Sequence, residues 1–520
     1  MRLLPAILLA WVPLASAAPG PPTPRSAFEA SSYDTPRGRI DEWIQAALGK
    51  EHLAPAPPCS DAVFIRRVFL DLIGTLPTAD EVRDFLDDRS SGKRAKLVEQ
   101  LFLREEFADF WAMRWCDMLR VKAEFPINLW PNPAQAYHRL LRTAVKNRLP
   151  LDRLARSLLT ATGSNMRVPE SNFFRAVQSR EPKALAGAAS LAFMGVRQEA
   201  WSAAELDALA TCFSRLSYKS TSEWKEEIIY FDLNKPAPAK PVTMPDGKQL
   251  EFPPDTDPRA IFAAWLLQPG NPWFARNFAN RAWFWMFGRG LVHEPDDFRR
   301  GNPPSHPELL AYLAKELTTH DYDFRHVLRL IANSRTYQQS PVPAASHPRN
   351  AALFASFPVR QLEAEVLIDA LCAVTGTTES YTSLIPEPFT FLPDGTRAIE
   401  IPDGSISSSF LELFGRPARD SGLAAERNPN PSSAQRLHFL NSSHVRNKLE
   451  RSVLLRDLAG GRFMPNNAVA GLYLTLLSRR PTAGETALFR DTLATASNRR
   501  DALIDLVWAL LNTTEFQCHH

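Results

Sequence analysis

The chain has 520 residues, too many for one small hydrophobic core, and 45% of them are apolar, so two or three packed units are expected. Its 60 Lys and Arg, of which 47 are Arg, nearly balance 57 Asp and Glu, and no run of one sign stands out. That removes the electrostatic footprint of a nucleic-acid binder or of a protein drawn to an anionic membrane.

The first residues carry one positive charge at Arg2, an apolar run from Leu3 to Leu14, and small residues at Ala15, Ser16 and Ala17. This is the pattern of a secretory signal peptide spanning residues 1–18, cut near Ala17 or Ala18. Pro5 and Pro13 interrupt the run, which also falls short of the ~20 apolar residues that a spanning helix needs. No later run is long enough either, so the expectation is an extracytoplasmic protein, periplasmic or secreted, without a membrane span. Residues 19–39 are rich in Pro and Ser and read as a loose, disordered lead-in.

From Ile40 onward the apolar spacing is helical almost throughout. In "DAVFIRRVFLDLIGTLPTADEVRDFLDD", Val63, Phe64, Val68 and Leu72 share one face, and Gly74 and Pro77 stop the helix. Thr78 and Glu81 form a capping box that opens the next helix. Arg66, Arg67 and Asp71 place opposite charges about one turn apart, the spacing of a bridge. Residues 40–230 are therefore expected as a first helical domain. Between residues 231 and 257 six prolines and a Pro-Asp-Gly turn suit a linker with a small hairpin. Helical spacing resumes in residues 258–520, a second helical domain, interrupted at Ile385–Ser409 by a two-stranded excursion around Asp394 and Gly395. Thr482 and Glu485 repeat the capping box, which reads as the same helix-start chemistry used twice. The predicted fold class is mainly α, two multi-helix modules with small β-hairpin excursions.

Five cysteines, at 59, 116, 212, 372 and 518, are far apart and specify no disulfide pattern. Cys116 and Cys372 sit inside apolar helical patterns and read as buried thiols. The terminal Cys-His-His offers metal-ligand atoms, but a chain end frays.

The strongest polar cluster is His293, Glu294, Asp296 and Asp297, with Arg299 beside it, on a loop after Gly288 and Gly290. Imidazole and carboxylates on a loop suit a metal or catalytic site. Pro295 breaks a regular ligand face, and Arg299 and Arg300 are placed to neutralise the acids, which favours a structural ion-pair loop. Trp273, Trp283, Phe284, Trp285 and Phe287 offer a sugar-stacking platform or, at helical spacing, core packing. Arg335 and Tyr337 after one helix, with Glu363 and Glu365 on a later one, define a candidate cleft if the fold brings them together. There is no Ser nucleophile elbow, no His-Glu-x-x-His helix and no phosphate-cradling Gly loop.

The helix pair at Asp61–Asp88, the segment Phe274–Leu310, "NSRTYQQS" at Asn333–Ser340, "RQLEAEVLIDAL" at Arg360–Leu371 and "FLELFGRPARD" at Phe410–Asp420 together resemble one family. It is the planctomycete cytochrome-associated proteins built from two tandem domains of unknown function, and the resemblance runs from about Ile40 to the end. In many relatives the equivalent of "FMGVR" (Phe193–Arg197) runs into Cys-x-x-Cys-His, the segment that tethers a c-type haem through two thioethers and an axial imidazole. Here Arg197 is followed by "QEAWSAAEL". After "FGRPAR" relatives often carry Cys-x-Cys-Glu-Arg; here Glu426 and Arg427 remain and the thiols do not. The resemblance thus implies an exported, helical protein without covalent haem and with no cofactor. Loss of one shared metal or redox role and loss of two disulfide staples both fit the missing thiols.

The leading expectation is an accessory or binding protein for a partner protein or a polysaccharide. The alternatives are an extracytoplasmic enzyme acting on polymers through the acidic loop, and a redox partner of a cytochrome.

Overall fold

The helix Asp61–Ile73 organises the molecule because it is enclosed on every side: each residue from Val63 to Ile73 is buried. The two arginines inside it are satisfied by backbone carbonyls. Arg66 donates to Leu476 O and Phe516 O, both at 2.8 Å, and Arg67 donates to Tyr337 O, to Gln339 O at 2.9 Å and to His520 O at 3.0 Å. The expected bridge within the helix is therefore not what these side chains do. A planar guanidinium with five donors is best used where several chain ends present carbonyls in a dry environment.

The computed structural model describes residues 27–460 and 465–520. The predicted signal segment, residues 1–18, lies outside the described residues. Residues 27–38, expected to be loose, are held down: Ala30 N donates to Pro58 O at 2.9 Å and the Thr35 hydroxyl to Gln338 Oε1 at 2.9 Å. No helix of the described residues is long and apolar enough to cross a membrane.

The fold is mainly helical, with small antiparallel sheets. One apolar core runs from Ile40 to Phe516. Its central seam joins the helix Glu105–Met118 to the helix Phe274–Phe287. There Trp111 meets Trp285 edge-on at 5.6 Å, Trp115 stacks on Phe278 at 5.3 Å, and Phe324 packs on Trp111, Trp115 and Trp285. Each such pair adds roughly 0.5–1.5 kcal/mol beyond area burial.

A three-stranded sheet orders Gly163–Ser164, Glu227–Phe231 and Leu216–Ser220, with Tyr218 opposite Ile229. Helical spacing gave no sign of it, since each strand is five residues or fewer. In the Pro-rich stretch Val242–Thr243 pairs with Gln249–Leu250 around the Pro-Asp-Gly turn. This stretch lies against the core, with Met244 and Phe252 buried. The excursion expected around Asp394 and Gly395 is not a ladder; Thr382 and Ser407 form a single bridge. The reason is a competing acceptor: Asp369 takes the backbone N–H groups of Ala398 and Ile399 at 2.7 and 3.1 Å, which turns residues 398–400 inward.

Both capping boxes form, with Glu81 N donating to Thr78 Oγ1 and Glu485 N to Thr482 Oγ1, each at 3.2 Å. The likeness extends to the backbone. Gly74 and Ser478, four residues before each box threonine, are both left-handed. A helix hairpin is thus built twice, and the helix Pro465–Leu477 of the second packs on the helix Ala79–Asp87 of the first. The tail residues His519 and His520 are buried, held by pairing of Cys518–His519 with Arg360–Gln361 rather than frayed.

Candidate functional site

A cavity of about 150 Å³ opens where four segments meet. The helix Glu105–Met118 contributes Arg114 and Asp117; the helix Phe274–Phe287 contributes Arg281, Phe284 and Trp285. Arg360 and Glu363 come from the strand and turn that precede the helix Ala364–Thr375. The loop 414–429 closes the fourth side with Phe414 and Arg427. Gly415 lets this loop double back: its φ is 83°, and a Cβ there would stand 2.2 Å from Asn428 O.

The charged groups are joined in a web. Glu363 stands at the start of its helix, where the dipole favours a carboxylate. It pairs with Arg114 at 2.9 Å and with Arg427 at 3.5 Å. Arg427 also grips Glu365 at 2.6 Å and Asp117 at 2.7 Å, and Asp117 takes Arg419 at 2.8 Å. Burial alone raises the Glu363 carboxyl, but Arg114 and Arg427 outweigh it and hold the group below the ordinary glutamate range. Glu365 is lowered in the same way, burial being outweighed first by Arg427. Burial drives the Arg114 guanidinium below its ordinary value, whereas Arg427, facing three carboxylates, is raised despite burial.

Of the residues singled out in the sequence for a cleft, Glu363 lines the cavity and Glu365 sits behind it, bound to Arg427. Tyr337 is buried and donates to Asp71 Oδ2 at 2.6 Å. Asp71 in turn receives Arg360 at 2.7 Å, so Tyr337 reaches the cavity wall through two partners. Arg335 goes elsewhere: its Nε donates to Thr35 O at 2.8 Å and its guanidinium lies over the Tyr33 ring.

The polar loop is divided rather than convergent. His293 and Glu294 are exposed, and Glu294 pairs with Arg197 at 3.1 Å. Burial lowers the His293 imidazole, with Arg289 adding to the effect. Asp296 is fully buried between Arg281 Nη2 at 2.5 Å and Ala424 N at 2.6 Å. Asp297 takes Arg299 at 3.2 Å, so the two neighbouring acids are neutralised by arginines from different elements. Among the aromatics, Trp283 and Phe287 stack at 4.3 Å within the core, and only Phe284 and Trp285 reach the cavity.

The two segments that depart from the relatives' sulfur pattern flank this same loop. On one side Phe298 N donates to Gly195 O at 3.0 Å and Val196 bridges to Asp297; on the other Ala424 binds Asp296. In place of thiols and imidazole, Trp201 packs edge-on against Trp273 at 5.7 Å and donates to Ser190 Oγ at 2.7 Å. Leu423 and Ala424 line the cavity. All five cysteines are free. Cys116 is buried, its thiol pushed up to about 12 by desolvation, and Cys372 is half-buried beside Lys448.

Arg114, Asp117 and Arg360 were not legible as site residues, because each lies in an apolar helical or strand pattern. The one signal for Arg427 was that it and Glu426 remain where the neighbouring thiols of relatives are missing.

Two family models match the chain: PSCyt2, described as "Protein of unknown function (DUF1549)", over residues 39–211, and PSD1, described as "Protein of unknown function (DUF1553)", over residues 258–493. No curated protein and no solved structure matches it. The chain is a tandem PSCyt2–PSD1 protein of the planctomycete cytochrome-associated families.

Proposed function

We propose that this chain is an exported, non-catalytic accessory protein whose cleft receives a single ring of an acidic polysaccharide. The observation that carries this reading is the composition of the cavity wall. Four arginines and two carboxylates line it, Arg281, Arg360 and Arg427 also pairing with Asp296, Asp71 and Glu365 behind the wall, and Phe284, Trp285 and Phe414 offer aromatic surface. Arginine forks suit carboxylate and sulfate groups, and an aromatic face suits the apolar side of a sugar ring. Among the described residues that line the cavity there is no Ser, Thr, Tyr, Cys, His or Lys, so hydroxyl, thiol, imidazole and amine nucleophiles are absent from it. Glu363, held ionised by Arg114 and Arg427, is a poor proton donor near neutral pH. These features support binding over acid–base chemistry.

The test is a panel of neutral, uronic and sulfated oligosaccharides titrated against purified protein, followed by tryptophan fluorescence. Saturable changes with the acidic sugars and weaker ones with neutral sugars are expected. A flat response to every sugar overturns the reading, and release of reducing ends overturns its non-catalytic part.

A further inference from the structure

We infer that Glu316, His320 and His326 form a binding site for one divalent transition-metal ion, zinc in the first place. The three residues sit at a tight helix hairpin. Pro307–Thr319 ends with Glu316 in its last turn and His320 just beyond it, and Phe324–Ala332 begins with His326 on its first turn. One ligand atom from each lies within 4.8 Å of the other two. Glu316 Oε2 is 2.9 Å from His326 Nε2 and 3.5 Å from His320 Nδ1. Ligand atoms bound at ~2.0–2.1 Å around a tetrahedral ion stand about 3.3–3.5 Å apart, so a small closure at one edge seats the metal.

Several surroundings favour this use. The two imidazoles are stacked, 3.7 Å between centroids and 17° between planes, so both rings are held beside one carboxylate. His320 Nδ1 also lies 2.9 Å from the Glu316 carbonyl oxygen and 3.3 Å from Thr319 Oγ1, contacts that hold the ring near the carboxylate in the metal-free protein and that this nitrogen gives up on binding an ion. Tyr312 stands beside Glu316 outside the cluster. The last carbonyls of a helix favour a cation. Two imidazoles and one carboxylate, with an open fourth position, are a borderline-soft donor set that suits zinc or copper over calcium or magnesium. His320 is exposed and the other two are half-buried, so an ion has access.

The site has a consequence for the fold. Between the two helices Asp321 and Tyr322 are both left-handed, with φ of 52° and 54°, a strained pair for residues with side chains. Directly after it Phe324 enters the tryptophan seam and Arg325 donates to Phe102 O at 3.0 Å and Val145 O at 2.8 Å. A metal closing the hairpin therefore stabilises the contact between the two halves.

The experiment uses tag-free, chelator-stripped protein titrated with Zn²⁺ by calorimetry and with Co²⁺ by visible absorption. One equivalent is expected to bind and to raise the Tm. His320→Ala, which removes an exposed side chain, and Glu316→Gln are each expected to weaken binding at least tenfold and abolish the Tm rise, with His347→Ala unchanged. Absence of saturable binding, or an isotherm unaffected by His320→Ala and Glu316→Gln, overturns the inference.

Discussion

Tyr337 donates its phenol hydrogen to Asp71 Oδ2 at 2.6 Å, linking residues 266 positions apart in a fully buried contact. Asp71 Oδ1 is shared by Arg360 at 2.7 Å and His519 Nε2 at 3.0 Å. Burial raises the Asp71 carboxyl, but His519 and Arg360 outweigh it and keep the group low. Removing this one charge-assisted hydrogen bond, by Tyr337→Phe, is expected to cost about 1.5–3 kcal/mol. Asp71→Ala is expected to cost about 3–5 kcal/mol, because it leaves buried Tyr337 and His519 and half-buried Arg360 without their shared partner. Urea unfolding of both variants measures the difference, and equal small losses would contradict the assignment.

The polar loop yields a second contrast. Asp296→Ala removes the carboxylate paired with buried Arg281 and is expected to cost about 3–5 kcal/mol. Asp297→Ala breaks a pair whose arginine is 60% exposed and is expected to cost less than about 1 kcal/mol. Comparable losses for the two variants would show that the division between adjacent acids is wrong.

The repeated hairpin gives a third. Gly74 has φ 64°, and a Cβ there would fall 2.4 Å from the Phe110 ring. Gly74→Ala therefore combines backbone strain of about 1–2 kcal/mol with a clash in the core. Ser478 holds the same left-handed position with φ 55°, so Ser478→Gly relieves strain and is expected to change stability by less than about 1 kcal/mol. Thermal melts of the pair decide it.

Acid should unfold the protein early. Burial lowers His306 and His519 to about 4 and His138 and His520 to about 3, from an ordinary 6.5. Each of these bases binds fewer protons when folded than when unfolded between those values. Their contribution is present above pH 6.5 and is lost as the pH falls through 4 and 3, roughly 2 kcal/mol apiece at pH 5. Asp369 runs the other way: burial raises it to about 7, so its contribution is present below 3.8 and lost as the pH rises through 7. Asp109 and Asp403, also raised by burial, act in the same sense as Asp369, but the four imidazoles outweigh them, and unfolding free energy measured from pH 7.5 to 4.5 should fall. A flat profile would contradict the burial of these imidazoles.

Much of the fold was legible because helical spacing and capping boxes are local. Val63, Phe64, Val68 and Leu72 declare a buried face, and Thr78 with Glu81 declare a helix start, whatever lies beyond. The strand pairing of Leu216–Ser220 with Glu227–Phe231 was missed because it depends on a partner across a turn, and the expected ladder near Asp394 gave way to Asp369, a residue 29 positions from Ala398. The site was less legible still. Glu363 was named, but the web that fixes it comes from Arg114, 249 positions earlier, and Arg427, 64 later, and sequence spacing carries no trace of either. Glu316 and His320, one turn apart, were not singled out in the sequence, and His326 joins them only because Asp321 and Tyr322 reverse the chain.

The cleft is tested most directly by calorimetric titration of an acidic oligosaccharide into the wild-type protein and Phe284→Ala, whose side chain is a half-buried part of the wall. The account predicts saturable one-to-one binding that weakens roughly three- to tenfold when the aromatic face is removed and declines further as salt is added. Identical isotherms for the two proteins, or no heat from either, would contradict it.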